Sequence, residues 1–340
     1  MVVVMQAGAP AEQVAAVVET VERAGGEAFV SRGVERTIIG LVGDVELFGE
    51  LSLSALPGVL DVVRISQPYK LVSRDNHPGT STVTVGGVPI GPGTFTFIAG
   101  PCAVESFDQT LESALMARAA GAVLLRGGAY KPRTSPYAFQ GLGRRGLEIL
   151  AEVRERTGLP VVTEVVDAAD VALVAEHADM LQLGARNAQN FGLLQALGGA
   201  GKPVLLKRGL TSTYEEWLMA AEYVAQRGNL DIVLCERGVR SFEPAIRNML
   251  DITAVPMVHA LSHLPIICDP SHAAGRRDMV VPLAKAAIGV GAEGIIVDVH
   301  PHPEQALCDG PQALTEVELA DLGEAVRSLP PLVGRRTVSG

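Results

Sequence analysis

Eight short apolar runs recur between residues 96 and 300, and nearly every one ends in a residue able to do chemistry. They read FIAG before Pro101 and Cys102, AVLLR before Gly127, PVVTEV around Glu164, and MLQLGAR ending at Arg186. PVLLKR follows, ending at Lys207 and Arg208, then DIVLCER ending at Arg237, LPIICDPSH ending at Asp269 and His272, and GIIVDVH ending at Asp298 and His300. Continuous Val, Ile and Leu bounded by Gly or Pro is how a parallel strand buried on both faces looks. Between successive runs lies enough chain for one helix. Eight strand-then-helix units predict an α/β fold, the (β/α)8 TIM barrel, whose active site gathers at the carboxyl ends of its strands.

The chain has 340 residues, more than the roughly 250 of one barrel, so a second domain is expected. Residues 2–6 read as a strand. Residues 10–24 read as a helix with Val14, Ala15, Val18 and Val21 on one face, stopped by Gly25-Gly26. Strands near 27–32 and 36–42, a helix over 44–53 and a strand at 59–66 after the Pro57-Gly58 turn complete a βαββαβ order. That order predicts a ferredoxin-like domain over 1–66. Residues 67–95 read as a polar linker and a hairpin at the barrel bottom, TVTV-GG-VPI, with Gly86-Gly87 supplying the positive φ of a two-residue turn. The barrel is placed at 96–330 and a loose tail at 331–340. Ser212 with Glu215 reads as a capping box before a helix carrying Trp217 and Tyr223. The Arg- and Glu-rich stretch 143–157 reads as a helix with a solvated face.

A net charge of −10 and 4% aromatic residues exclude the basic, stacking footprint of a nucleic-acid binder. No apolar run is long enough for a membrane span, and MVVVMQAG reads as a first strand rather than a signal peptide. Cys102, Cys235, Cys268 and Cys308 show no paired spacing and read as reduced thiols of a cytoplasmic protein. Cys235 and Cys268 read as small buried hydrophobes.

Arg126, Lys131, Arg133, Arg186, Lys207, Arg208 and Arg237 all fall at or just after strand ends. Taken singly, each could equally be the partner of a carboxylate such as Glu164 or Glu236. As a set on an acidic chain they are shaped to hold two anionic groups, phosphates above all, because the guanidinium fork bonds two oxygens at once. Cys102, His272, Asp298 and Asp309 follow strands one, seven and eight. Local spacing does not mark them, but the barrel would gather them at the same mouth, and such a donor set suits a divalent first-row metal.

GPCAVES, RGGAYKPRTSPYAFQGLG, TEV, GARNAQNF, LLKRG, CERG, DPSHAAGRRD and HPHPEQALCDGPQAL follow one another in a way that resembles the 3-deoxy-D-arabino-heptulosonate 7-phosphate (DAHP) synthases. SRGVERTIIG and RISQPYKLVSR resemble the type Iβ subgroup, which carries a ferredoxin-like regulatory domain. Lys131-Pro132-Arg133-Thr134 is the most specific piece, since the sister synthases that take arabinose 5-phosphate carry an Asn-containing segment there. The resemblance implies condensation of phosphoenolpyruvate with erythrose 4-phosphate, the first step toward chorismate and the aromatic amino acids. A related synthase using another aldehyde and a non-catalytic homologue are the alternatives.

By the same resemblance, Arg126, Lys131, Glu164, Ala185, Arg186, Lys207 and Arg237 would surround phosphoenolpyruvate, with Lys131, Glu164 and Lys207 catalytic. Arg133, Thr134 and Ser135 would hold the sugar phosphate. Cys102, His272, Asp298 and Asp309 would bind the metal, manganese first, with iron(II), cobalt(II) and zinc as alternatives. An aromatic amino-acid effector at the amino-terminal domain and a homotetramer are also implied.

Three positions depart from the family pattern. Asp298 stands where Glu is usual, shorter by about 1.5 Å of reach, whereas metal–ligand distances tolerate only about 0.2 Å. Asp298 is expected to bind directly or through water, with a preference for another metal. His302 stands where Asp or Asn is common and reads as a solvated loop residue, with a replacement ligand as the other option. Phe29 stands, ahead of Ser31, where many relatives have His on a strand implicated in effector binding.

Overall fold

A computed structural model describes residues 1–33, 36–64 and 67–339, with backbone alone at positions 45 and 46. Val34 and Glu35 of SRGVERTIIG, and Ile65 and Ser66 at the end of the fourth expected strand, lie outside the described residues. The chain divides into two compact units, Met1–Pro68 and Tyr69–Gly340.

The first unit runs β1 (Val2–Met5), α1 (Ala11–Arg23), β2 (Glu27–Arg32), β3 (Thr37–Val42), α2 (Val45–Glu50) and β4 (Val59–Val63). Its sheet order is β2-β3-β1-β4 with every pair antiparallel, which is the ferredoxin-like arrangement. Helix α1 buries Val14, Val17 and Val21 rather than the expected face with Ala15, which is exposed. At 100° per residue, positions i, i+3 and i+7 share the narrow stripe facing Val3, Met5 and Ile39, and Val18 falls at its margin. Gly25 closes the helix at φ +82°, and the Gly26 amide donates to the Val21 carbonyl in a Schellman motif.

The second unit opens with a hairpin, β5 (Val83–Val85) and β6 (Val88–Ile90), turning through positive φ at Gly86 and Gly87. Then come the eight expected strands: β7 (Thr94–Gly100), β8 (Leu124–Arg126), β9 (Val161–Val165), β10 (Met180–Leu183), β11 (Val204–Lys207), β12 (Ile232–Glu236), β13 (Ile266–Cys268) and β14 (Gly294–Asp298). Each pairs in parallel with the next, and β14 pairs back onto β7, so the ring closes.

Alternate residues divide between two cores. Ile98, Leu124, Val162, Met180, Leu205, Val233, Cys235, Ile267 and Ile296 point inward, together with Val83, Val85 and Ile90 of the hairpin. Their neighbours Leu125, Val161, Leu181, Leu206, Leu234 and Cys268 pack outward. The outer layer is α3 (Phe107–Ala119), α4 (Arg144–Thr157), α5 (Val171–His177), α6 (Phe191–Gly198), α7 (Tyr214–Ala225), α8 (Ala254–Leu261), α9 (Pro270–Ala274), α10 (Arg277–Gly289) and α11 (Glu316–Ser328).

Two further expectations need correction. The capping box of α7 is Thr213 with Glu216, not Ser212 with Glu215: the Glu216 amide donates to Thr213 Oγ1 at 3.1 Å, and the Thr213 amide to Glu216 Oε2 at 2.8 Å. The Ser/Thr-x-x-Glu pattern fits both registers, but Ser212 is buried, with its carbonyl taken by Arg208 Nε at 3.0 Å. Nor is the tail loose. Residues Arg336–Thr337 form β15, in parallel with the start of β7. The β14 pairing begins only at Thr96, leaving the backbone of Thr94 and Phe95 for the tail to satisfy. Among the described residues, no helix is long and apolar enough to cross a membrane.

Candidate active site

The carboxyl ends of the strands rim a cavity of about 520 Å³. Lys207 ends β11 and Arg126 ends β8, while Lys131, Arg133, Thr134 and Ser135 stand on the loop after β8. Glu164 rises from β9, Ala185 and Arg186 follow β10, Arg237 follows β12, and His272 lies in α9. Asp309 lies in the loop after β14. Cys102 and Asp298 are almost wholly buried beside the cavity. Thr134 and Ser135 are exposed at the rim.

Strand parity selects these side chains. Arg126, Glu164, Lys207, Arg237 and Asp298 each follow an inward-facing residue by two positions, so their side chains share the lumen. Arg208 and Glu236 have the opposite parity and meet outside it. Arg208 Nη1 lies 3.0 Å from Glu236 Oε2 and 2.8 Å from Asp251 Oδ2, with its guanidinium over the Tyr214 ring. Arg208 is therefore removed from the anion-holding set.

Close packing of the lumen depends on glycine at two points. A Cβ on Gly184 would stand 1.9 Å from Glu164 Oε1, and one on Gly128 would stand 2.7 Å from Lys131 Cδ. Both functional side chains lie across backbone that has no side chain of its own.

The cations divide into two groups. Arg126 pairs with Asp298 at 2.5 Å and Lys207 with Asp269 at 2.5 Å, all four groups buried. Arg133, Arg186, Arg237 and Lys131 have no carboxylate within ion-pair distance among the described residues. Lys131 Nζ instead donates to the Cys102 carbonyl at 2.9 Å and sits 3.2 Å from Cys102 Sγ. Burial opposes the charge on Lys131, but Cys102, Cys308 and Glu164 outweigh it and hold the ammonium protonated. Arg237 is 7% exposed, and burial depresses its pKa with too little compensation from Asp269. A buried cation without a partner is costly unless an anion completes it.

Four residues offer metal donors at one spot. His272 Nδ1 lies 2.9 Å from Asp269 Oδ2, which turns Nε2 toward Cys102 Sγ (3.7 Å), Asp298 Oδ2 (3.6 Å) and Asp309 Oδ2 (3.8 Å). Burial works against the His272 charge, but Asp269 and Asp298 carry its pKa up to about 9. Burial likewise opposes charge on Asp309, yet His272 and Arg247 hold its carboxyl well below the usual range. Asp309 is the one described non-glycine residue at positive φ, 54°, a conformation that functional sites retain at a cost. Cys102, His272 and Asp298 bring one donor atom each within 4.8 Å of one another, as do Cys102, Cys308 and Asp309, and thiol, imidazole and carboxylate together fit a divalent first-row transition metal.

The sequence reading missed Gln182, Arg240, Arg247 and Asn248, which line the cavity, and Cys308, whose Sγ lies 3.7 Å from Cys102 Sγ. Parity alone would have found Gln182, two positions after the inward Met180. Arg240 and Arg247 lie deeper in the loop after β12, beyond the strand end. His302 stays at the surface, 3.9 Å from Glu304, and His300 turns away to Glu105 at 3.4 Å.

Residues 71–332 match the DAHP synthetase I family, and residues 1–67 match the DAHP synthase ferredoxin-like domain. This chain belongs to the DAHP synthetase I family. A phospho-2-dehydro-3-deoxyheptonate aldolase of Thermotoga maritima is 51% identical to it, over 98% of this chain and 99% of its own length. The crystal structure of such an aldolase (DAHP synthase) from Thermotoga maritima superposes with a TM-score of 0.92 at 49% identity, covering 99% of each chain. A 2-dehydro-3-deoxyphosphooctonate aldolase of Magnetococcus marinus is 34% identical over 73% of this chain and 92% of its own length. The likeness thus extends over both units, the second to the DAHP synthetase I family and the first to the DAHP synthase ferredoxin-like domain, as the resemblance implied.

Proposed function

We propose that this chain is a cytoplasmic transferase that joins phosphoenolpyruvate, erythrose 4-phosphate and water to give DAHP and inorganic phosphate. The observation that carries this reading is the set of cations without a carboxylate partner among the described residues, Lys131, Arg133, Arg186 and Arg237, in one cavity beside a metal-donor cluster. Arg186 and Arg237 hold the enol phosphate, with the Ala185 backbone. Arg133, Thr134 and Ser135 hold the sugar phosphate at the rim.

Holding two anions together against their repulsion supplies much of the rate, through positioning and fixed charge. Carbon three of the enol phosphate attacks the aldehyde carbon, and the new alkoxide needs a proton. Lys131 carries one and stands beside Cys102. Water adds to carbon two, giving its proton to Glu164 or, by way of the Lys207–Asp269 pair, to solvent. The bond from carbon two to the bridging oxygen then breaks as the new hydroxyl becomes the ketone, and phosphate leaves with the bridging oxygen and the hydroxyl proton. Cys102, His272 and Asp309 would hold a divalent transition metal, for whose remaining position Asp298 and Cys308 compete. Such an ion supplies Lewis-acid polarisation of the aldehyde carbonyl.

Phosphate release should appear with phosphoenolpyruvate plus erythrose 4-phosphate and be at least tenfold slower with arabinose 5-phosphate. It should cease under strong chelation and return with an added divalent ion. Equal rates with the five-carbon aldehyde would overturn the substrate assignment, and full activity under chelation would overturn the metal.

The ferredoxin-like unit supports regulation by an aromatic amino acid within a homotetramer. Phe29 is well exposed on β2, in place of the His common at that position. Deletion of residues 1–66 should abolish inhibition by tyrosine or phenylalanine and leave turnover. Inhibition that survives the deletion, measured in the same assay, would place the effector elsewhere.

A further inference from the structure

Asp298 is already fully engaged. Its Oδ1 accepts from Arg126 at 2.5 Å, its Oδ2 accepts from Gln312 Nε2 at 2.6 Å, and its amide donates to Ser271 Oγ at 3.0 Å. Swinging the carboxylate onto an ion would strand the Arg126 guanidinium, whose other bond is to the Pro101 carbonyl at 3.1 Å, in a buried position without its counter-charge. Breaking a buried pair in that way is strongly unfavourable.

Across the cluster a different donor is free to serve. Cys308 Sγ lies 3.7 Å from Cys102 Sγ and 3.5 Å from Asp309 Oδ2, and Cys102 Sγ lies 3.2 Å from the same oxygen. Two thiolates on one tetrahedral zinc ion, each at about 2.3 Å, stand about 3.8 Å apart. The spacing of the two sulfurs already matches shared coordination.

We propose that Cys308 is a metal ligand in this chain, a second thiolate beside Cys102, completing a set with His272 and Asp309. Asp298 remains the counter-ion of Arg126, clamped by Gln312. The ion then takes sulfur from Cys308 where Asp298 would have supplied oxygen. Softer donors favour zinc and cobalt over manganese. This assignment rests on the proposed metal dependence of the site.

The test uses the full chain, reduced and kept anaerobic, loaded with zinc. Extended X-ray absorption fine structure at the zinc edge should count two sulfurs at about 2.3 Å. In the cobalt-loaded protein, Cys308→Ser should reduce the near-ultraviolet thiolate-to-metal band to about half, since each thiolate contributes its own transition. One sulfur on the bound zinc, or an undiminished band in the variant, overturns the role of Cys308 and leaves the proposed reaction standing. Failure of the chain to bind any divalent ion overturns both.

Discussion

Arg237→Met should lower kcat/KM for phosphoenolpyruvate by about two to three orders of magnitude and, in the same protein, raise the melting temperature of the ligand-free chain. The first effect is the loss of a buried charge-assisted contact to phosphate, about 2–5 kcal/mol for one partner of such a pair. The second follows from the free protein, where Arg237 is buried and makes no carboxylate pair among the described residues. Folding has to desolvate that charge with little return, and a flexible apolar side chain of similar length removes the cost. A gain of about 1 kcal/mol would appear as a rise of about 2 °C in a chain this size. Steady-state kinetics and thermal melts with and without phosphoenolpyruvate check both halves. A variant that loses stability without ligand shows that Arg237 is a structural residue, and the phosphate site must then be sought elsewhere.

Lys131→Met should reduce kcat by about 10²–10⁴, the usual worth of a positioned proton donor, while zinc content stays at the parental level. Lys131→Arg should restore little, because a guanidinium does not give up its proton near neutrality. The ammonium donates to the Cys102 carbonyl and is held protonated with the help of the Glu164 charge, so removing it takes a proton from the point where the alkoxide forms. Loss of metal along with activity would show that Lys131 acts only by ordering Cys102. A kcat within tenfold of the parent would remove it from the chemistry.

The barrel was legible in the sequence because a strand buried on both faces must stay apolar until it reaches solvent, so its end announces itself. What strand ends alone do not carry is direction. Lys207 and Arg208 are neighbours in the chain, yet one faces the lumen and the other Glu236, since side chains alternate across a strand. Reading back two residues, to Leu205 inside and Leu206 outside, separates them without coordinates. The same step would have added Gln182. Arg240 and Arg247 are of another kind: they reach the cavity from a long loop after β12, and loop geometry has no period to read. The Thr94–Phe95 edge that captures the tail was equally hidden, because it depends on where β14 begins to pair.

The hairpin of residues 83–90 sends Val83, Val85 and Ile90 into the inner core of the ring. Among the described residues this packing stoppers one end of the lumen, and the cavity lies at the other, so reactants and spent phosphate share that mouth. Whatever leaves has to pass the same guanidinium groups that drew it in, and departure, rather than bond making, becomes the natural place for traffic to queue.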